Sequence, residues 1–314
     1  MNSPIVAFVV LIAGLSLMIY SSKKTIDHAV EVATALGIPH ILIGFIFIAM
    51  GTDLPEIVNS ILSGYLGHAD INIGDSLGSV LSQLTLVFGL LPIIGGVIKV
   101  KRKEILVIGC CLILALIILF SIFEKGDFTR LNAFFLLASW ALFSIITITL
   151  TGKQDLDIQV QTISSRQKLM DVLVVVIGLI GIGVGSFLVV ESVIFLSKGI
   201  NIPEFFISFF IVGIGTSLPE LVVDITAIKK KHFDIAIGDI LGSCVVDATF
   251  SIGIGQFLFP QIVSTELANH TIIYTIVVAL IVISILAFRK RVDNIMGAFL
   301  ILLYILSFLL LFVK

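Results

Sequence analysis

Two glutamates, Glu56 and Glu220, stand within long apolar segments, each directly after a proline and four residues after a threonine. Their settings are Gly51-Thr52-Asp53-Leu54-Pro55-Glu56 and Gly215-Thr216-Ser217-Leu218-Pro219-Glu220, alike at five of six positions. Gly74-Asp75-Ser76-Leu77-Gly78-Ser79 returns as Gly238-Asp239-Ile240-Leu241-Gly242-Ser243, again alike at five of six, and both pairs are 164 residues apart. Four-residue spacing puts Thr52 with Glu56, and Thr216 with Glu220, on one helix face. Pro55 and Pro219 each remove a backbone N–H and clash with the carbonyl four residues back, at Gly51 and Gly215. In hydrocarbon those carbonyls must meet protein, water or an ion. Such a broken helix offers hydroxyl, carbonyl and carboxylate oxygens together, the donors that hard cations such as Ca²⁺ and Na⁺ take. A matching stripe follows in Asp75, Ser79 and Gln83, and in Asp239, Ser243 and Asp247, with glycines that allow close helix approach.

Charge balance sharpens this reading. Seven carboxylates cluster in and around the motifs: Asp53, Glu56, Asp75, Glu220, Asp224, Asp239 and Asp247. No Lys or Arg occurs from 25 to 98, from 199 to 228 or from 232 to 288. Buried carboxylates without basic partners must be neutralised by protons or bound cations, which implies a cation site that also exchanges protons. Simpler roles compete at some positions. Lone Ser and Thr residues can serve helix–helix hydrogen bonding. Asp75 and Asp239 read as lying at helix starts, where a carboxylate can cap free N–H groups. Asp224 reads as lying near a helix end beside Lys229–Lys231. His40, His68, His232 and His270 fall near segment ends and His28 in a loop, without metal-ligand spacing.

The elements that must position these residues are membrane helices. The 314 residues are 58% hydrophobic and 13% charged, with a mean hydropathy of +1.21, against about 25% charged residues in soluble domains. A net charge of −2 gives no basic surplus for nucleic acid. Cys110, Cys111 and Cys244 sit in apolar runs, which excludes a disulfide framework or a cysteine-based zinc site. Ten segments reach the ~20 apolar residues that a bilayer needs: 4–20, 38–64, 72–95, 104–122, 131–151, 169–196, 203–228, 236–258, 271–288 and 294–313. The first lacks the basic start and small-residue cleavage site of a signal peptide. Odd-numbered loops hold 15 of the 19 basic residues, which puts them inside and both termini outside.

Five spans per repeat is an odd number, so the second copy enters the membrane from the opposite side. The expected fold is all-α: ten transmembrane helices as two inverted-topology five-helix repeats, with broken helices at the ion site. Its expected parts are a first repeat at 1–152, a cytoplasmic linker at 153–168 and a second repeat at 169–314. Inverted repeats are common in secondary transporters, with the ion site near the midplane at their interface.

The paired Gly-Thr-x-Leu-Pro-Glu and Gly-Asp-x-x-Gly-Ser motifs, near 44–90 and 208–254, resemble the alpha repeats of the cation/Ca²⁺ antiporter superfamily, most nearly prokaryotic sodium/calcium exchangers. The resemblance implies exchange of Ca²⁺ for Na⁺ by alternating access, not an enzymatic activity. It implies Glu56 and Glu220 as central ligands, with Thr52, Thr216, Ser217, Ser79, Ser243 and Asp247, and backbone carbonyls at Ala49 and Gly213. Three departures stand out. Asp53 replaces a usual Ser, Gln83 stands where Asn or Asp is usual, and Asp75 and Asp239 replace a usual Asn. The added carboxylates leave open whether H⁺ replaces Na⁺ and which divalent ion is preferred. Proton-coupled members usually carry a Glu in the third span, and this chain has none. By the same likeness the first and sixth spans slide as a gate.

Two other classes fit less well. An intramembrane aspartyl protease would use two Gly-Asp motifs as a dyad, but Asn72-Ile73-Gly74-Asp75 lacks the Gly-x-Gly-Asp form and Glu56 and Glu220 would go unexplained. A passive channel commonly forms a symmetric oligomeric pore, whereas this chain carries its own pseudo-symmetry. The expected partners are inorganic cations and the lipid bilayer, with no nucleic acid and no cofactor, for a monomer in the cell membrane.

Overall fold

The computed structural model describes residues 3–35, 50–125, 128–151, 165–229, 231 and 233–312. In chain order the helices are α1 (Pro4–Ala35), α2 (Leu54–Leu66), α3 (Ala69–Ser82), α4 (Phe88–Gly95), α5 (Arg102–Glu124), α6 (Arg130–Thr151) and α7 (Ser165–Ile200). They continue as α8 (Glu204–Ile207), α9 (Gly213–Thr216), α10 (Leu218–Lys229), α11 (Phe233–Val246), α12 (Ile252–Leu258), α13 (Thr265–Arg289) and α14 (Asn294–Phe312). Eight helical stretches among the described residues are long and apolar enough to cross a membrane, and α14 adds a shorter apolar one. The second expected span survives here as α2, since 36–49 lies outside the described residues. Large side chains such as Ile5, Phe134, Ile177 and Phe288 are exposed, as a lipid-facing surface requires.

Several boundaries differ from expectation. The first span ends not at 20 but with α1 at Ala35, so Lys23, Lys24 and His28 are helical rather than in a loop. The sixth, expected at 169–196, is the longer α7. Both helices outrun a bilayer because polar residues, once helical, carry the hydrogen-bonded spiral on beyond the apolar stretch. Ser3 starts α1 by accepting the Val6 N–H at 3.3 Å, with Pro4 at the first helical position.

Three π-helical turns interrupt the spans, at Gln83–Val87, Ser208–Val212 and Asp247–Ser251. Hydropathy carries no signal for them. The first and third are 164 residues apart and begin at the expected site residues Gln83 and Asp247. Such turns recur at functional sites because they redirect side chains within a helix.

Small residues set the packing. Helices α1 and α7 run together, with Gly14 against Gly185. Helix α3 is buried almost all round. A Cβ on Gly78 would collide with the Phe209 carbonyl, and one on Gly74 with that of Phe205, so these glycines let α3 touch the backbone of α8 and the turn after it. Gly67, at φ 84°, ends α2 and turns the chain directly into α3. A two-stranded antiparallel sheet, β1 (Ile98–Lys99) with β2 (Arg291–Val292), joins two lysine- and arginine-rich turns. Those turns, the third and ninth, therefore share one side.

Candidate cation site

In each half a helix begins at the repeated proline motif. Residues 50–53 form a turn and α2 starts at Leu54, with Pro55 in its first turn. In the second half α9 stops at Thr216, Ser217 turns, and α10 restarts at Leu218 with Pro219. A proline there lacks only an N–H that would have no intrahelical partner. Glu56 and Glu220 consequently lie in the first turns of α2 and α10, where the helix dipole favours negative charge. The Gly51 carbonyl accepts Ser22 Oγ at 3.2 Å. The Gly213 carbonyl accepts Ser217 Oγ at 2.7 Å and Ser82 Oγ at 3.4 Å. Ala49 lies outside the described residues.

The remaining expected ligands converge. Thr52, Asp53, Glu56, Ser79, Gln83, Thr216, Ser217, Glu220, Ser243 and Asp247 are all at most 3% exposed. Ser79 Oγ donates to Glu56 Oε1 at 3.4 Å and lies 2.9 Å from Ser217 Oγ, so it joins the two halves. Gln83 Nε2 donates to Ser79 Oγ at 3.1 Å and to Asp247 Oδ2 at 3.5 Å. Ser251 Oγ donates to Asp247 Oδ1 at 3.2 Å. Glu56 has Asp247, Asp75 and Thr216 as neighbours. Glu220 faces Glu56, Asp53 and Asp239. None of the ion pairs among the described residues reaches these carboxylates.

The oxygens divide into two kinds. Asp75 is satisfied by protein donors, with Asn59 Nδ2 at 2.6 Å and Thr216 Oγ1 at 2.9 Å. Around the motifs, seven residues instead present buried oxygens that protein donors leave largely unsatisfied: Thr52, Asp53, Glu56, Glu220, Asp224, Asp239 and Ser243. Buried acceptors left without donors are costly. A hard cation satisfies such oxygens at once, and their convergence is the arrangement that oxygen-ligated ions require.

Three expectations need correction. Asp75 and Asp239 are not helix caps: each lies six residues into its helix, after Ala69 and Phe233. Asp224 is not interfacial but fully buried in α10, against Asp239. It lies one turn after Glu220 on the same face, a signal that the nearby lysines obscured. His28 has a partner in Asp171 at 2.9 Å, and with Glu31 the three offer ligand atoms within 4.8 Å of one another. His40 and His232 lie outside the described residues. Asn59 and Ser82 had no sequence signal beyond lying on motif-bearing helices, since only the fold shows what they face.

Two apolar helices that begin at a repeated proline motif around a shared carboxylate cluster, one in each half of the chain, are the arrangement of an integral membrane secondary transporter. The sodium/calcium exchanger protein family model matches residues 6–149 and again 170–313. The chain belongs to this family, which is one of cation/Ca²⁺ antiporters. The two matches are 164 residues apart, the same interval as the motifs. The chain is 27% identical to inner membrane protein YrbG of Escherichia coli, covering 82% of this chain and 81% of that one. Among solved structures it is similar to the sodium-calcium exchanger NCX_Mj, with a TM-score of 0.64 and 25% identity over 98% and 99% of the two chains. It also shares its fold with the H⁺/Ca²⁺ exchanger CAX, with a TM-score of 0.79 and 16% identity over 96% and 82%.

Proposed function

We propose that this protein exchanges Ca²⁺ for Na⁺ by alternating access, with Glu56 and Glu220 as the central ligands of the divalent ion. The observation that supports this most is the set of buried, largely unsatisfied oxygens on Thr52, Asp53, Glu56, Glu220 and Ser243, contributed by both repeats. Thr216, Ser217, Ser79, Gln83 and Asp247 complete the ligand set, with the Gly213 and Ala49 carbonyls adjoining. Two carboxylates neutralise one Ca²⁺, and monovalent ions filling the same oxygens balance them in the opposite step. A site that is charge-compensated only when filled disfavours crossing the membrane empty, which is what couples the two fluxes. The protein acts as a monomer in the cell membrane, with both termini outside and the lysine-rich turns inside.

One observation favours a second reading in which H⁺ replaces Na⁺: Asp53 adds a fully buried carboxylate directly against Glu220. Carboxylates can hand over a cation by taking protons instead. Equilibrium binding of labelled Ca²⁺ to the purified protein separates the readings. Displacement by millimolar Na⁺ at constant pH is the expected result. Displacement by acid alone, with no effect of Na⁺, favours proton coupling, and displacement by neither contradicts both.

A further inference from the structure

Helices α1 and α7 pack along a seam of small residues. A Cβ on Gly14 would meet the Gly185 carbonyl, one on Gly181 would strike Ser21, and one on Gly178 would strike Thr25. The two helices therefore run antiparallel and in close contact. One turn beyond Thr25 the same seam brings three ligating side chains together, His28 and Glu31 from α1 and Asp171 from α7. Their ligand atoms all lie within 4.8 Å of one another. His28 and Glu31 are three residues apart and share a face of α1. Glycine contacts one turn away on α1 and two turns away on α7 fix where these side chains meet.

Asp171 is 4% exposed, and its carboxylate is only half satisfied. Oδ1 lies 2.9 Å from His28 Nδ1, while Oδ2 is buried and has no hydrogen-bond partner. A buried acceptor left without a donor is costly. Among the described residues no Lys or Arg forms an ion pair with Asp171 or Glu31. His28 is half-buried and Glu31 is exposed, so the cluster opens to water on the Glu31 side and an ion can enter there. The donor set is one imidazole nitrogen and two carboxylates, whose charge a single divalent ion balances. Around Zn²⁺, nitrogen and oxygen ligands at ~2.0–2.2 Å stand about 3–3.5 Å from one another. The His28–Asp171 spacing is already near that, and the long, exposed Glu31 side chain can rotate to close the rest. Imidazole suits Zn²⁺ and its neighbours, whereas Ca²⁺ takes oxygen ligands.

We propose that His28, Glu31 and Asp171 bind a divalent transition-metal ion of the Zn²⁺ kind at the polar end of the α1–α7 pair, with water in the remaining coordination positions. The site stands on helices other than those of Glu56 and Glu220, and its nitrogen ligand distinguishes it from the all-oxygen cluster between the repeats. It does not depend on which ions the protein exchanges.

The test is equilibrium binding of labelled Zn²⁺ to the full chain in detergent, with millimolar Ca²⁺ present to occupy the all-oxygen cluster. Melting temperature and Ca²⁺ binding are recorded for every variant. One saturable Zn²⁺ per chain is expected, with a Zn²⁺-induced rise in melting temperature. His28→Ala and Asp171→Asn are each expected to weaken it by more than the ~10–100-fold that follows loss of a group that only orients a ligand. Both should leave Ca²⁺ binding unchanged, which separates a lost ligand from a misfolded chain. Glu31→Gln, on an exposed side chain, should weaken Zn²⁺ binding without changing the metal-free melting temperature, and His270→Ala should bind Zn²⁺ as the wild type does. The inference is overturned if no saturable Zn²⁺ binds in the presence of Ca²⁺, or if His28→Ala and Glu31→Gln bind it as the wild type does. It is equally overturned if the bound Zn²⁺ is lost in Glu56→Gln/Glu220→Gln and kept in His28→Ala, which would put the ion at the central carboxylates.

Discussion

Replacing Glu220 by Gln removes one charge and keeps the shape of a buried side chain. Its neighbours Glu56, Asp53 and Asp239 are all acids. Nothing in that group supplies positive charge, so a bound Ca²⁺ at ~2.4 Å from its oxygen ligands is the natural counter-ion. Removing one partner of a buried ion pair costs ~3–5 kcal/mol. At ~1.36 kcal/mol per tenfold, Glu220→Gln weakens Ca²⁺ binding by roughly 150- to 5,000-fold. Without cation the sign reverses, because the variant relieves repulsion among carboxylates and its melting temperature should equal or exceed that of the wild type. Ligand-induced stabilisation, ~2.7 kcal/mol at a hundred times the dissociation constant, should vanish in the variant at the same Ca²⁺ concentration. Calorimetric titration and thermal melts with and without Ca²⁺ read both effects. An affinity within threefold of wild type, or a Ca²⁺-induced shift that persists, would refute the reasoning.

The same geometry makes further predictions. Thr216→Val and Thr52→Val, equivalent in sequence, should behave differently: the first removes a donor to Asp75 and lowers apo stability by ~1.5–3 kcal/mol. The second touches an unpartnered hydroxyl and should weaken Ca²⁺ binding with little change in apo melting temperature. Gly78→Ala should cost ~1–3 kcal/mol by overpacking against the Phe209 carbonyl, read as a lower melting temperature with reduced flux. Protons compete with cations for the same oxygens, so Ca²⁺ affinity should fall as pH falls, and less steeply in Asp53→Ser; identical pH profiles would show that Asp53 does not face the ion. At the membrane edge, the Met296 N–H and then Arg289 and Arg291 hold the Asp293 carboxyl below its ordinary range. A lowered native pKa stabilises above the unfolded value and is lost as pH falls through the native one. Asp293→Asn should therefore lower the melting temperature slightly at pH 7, with the difference closing in acid.

Much of this was legible in the chain itself. Glu56 and Glu220 stood out because an unpaired carboxylate in hydrocarbon is costly anywhere but a site, and repetition at a fixed interval made coincidence untenable. The prolines indicated where α2 and α10 begin, and in the second half α9 stops first, so the chain is broken there rather than kinked. The π turns at Gln83 and Asp247 were not legible, because apolar periodicity does not distinguish one extra residue in a turn. Asp224 was misread because its distance along the chain from Lys229 says nothing about depth: on α10 it points at Asp239, away from the lysines. Asn59 and Ser82 were silent for a similar reason, since a lone amide or hydroxyl gains meaning only from what faces it. Lys23 and Lys24 suggested a loop, yet α1 runs through them, because basic residues are good helix formers and mark the membrane boundary without ending the helix.

Exchange itself is tested most directly by flux. Full-length protein in sealed liposomes loaded with labelled Ca²⁺ is exposed in turn to an inward Na⁺ gradient, an inward H⁺ gradient and no gradient. Rapid Ca²⁺ efflux is expected under the Na⁺ gradient, with slow leakage without one and loss of the driven flux in Glu56→Gln and Glu220→Gln. Equal efflux under all three conditions, or wild-type flux in either glutamine variant, would contradict it.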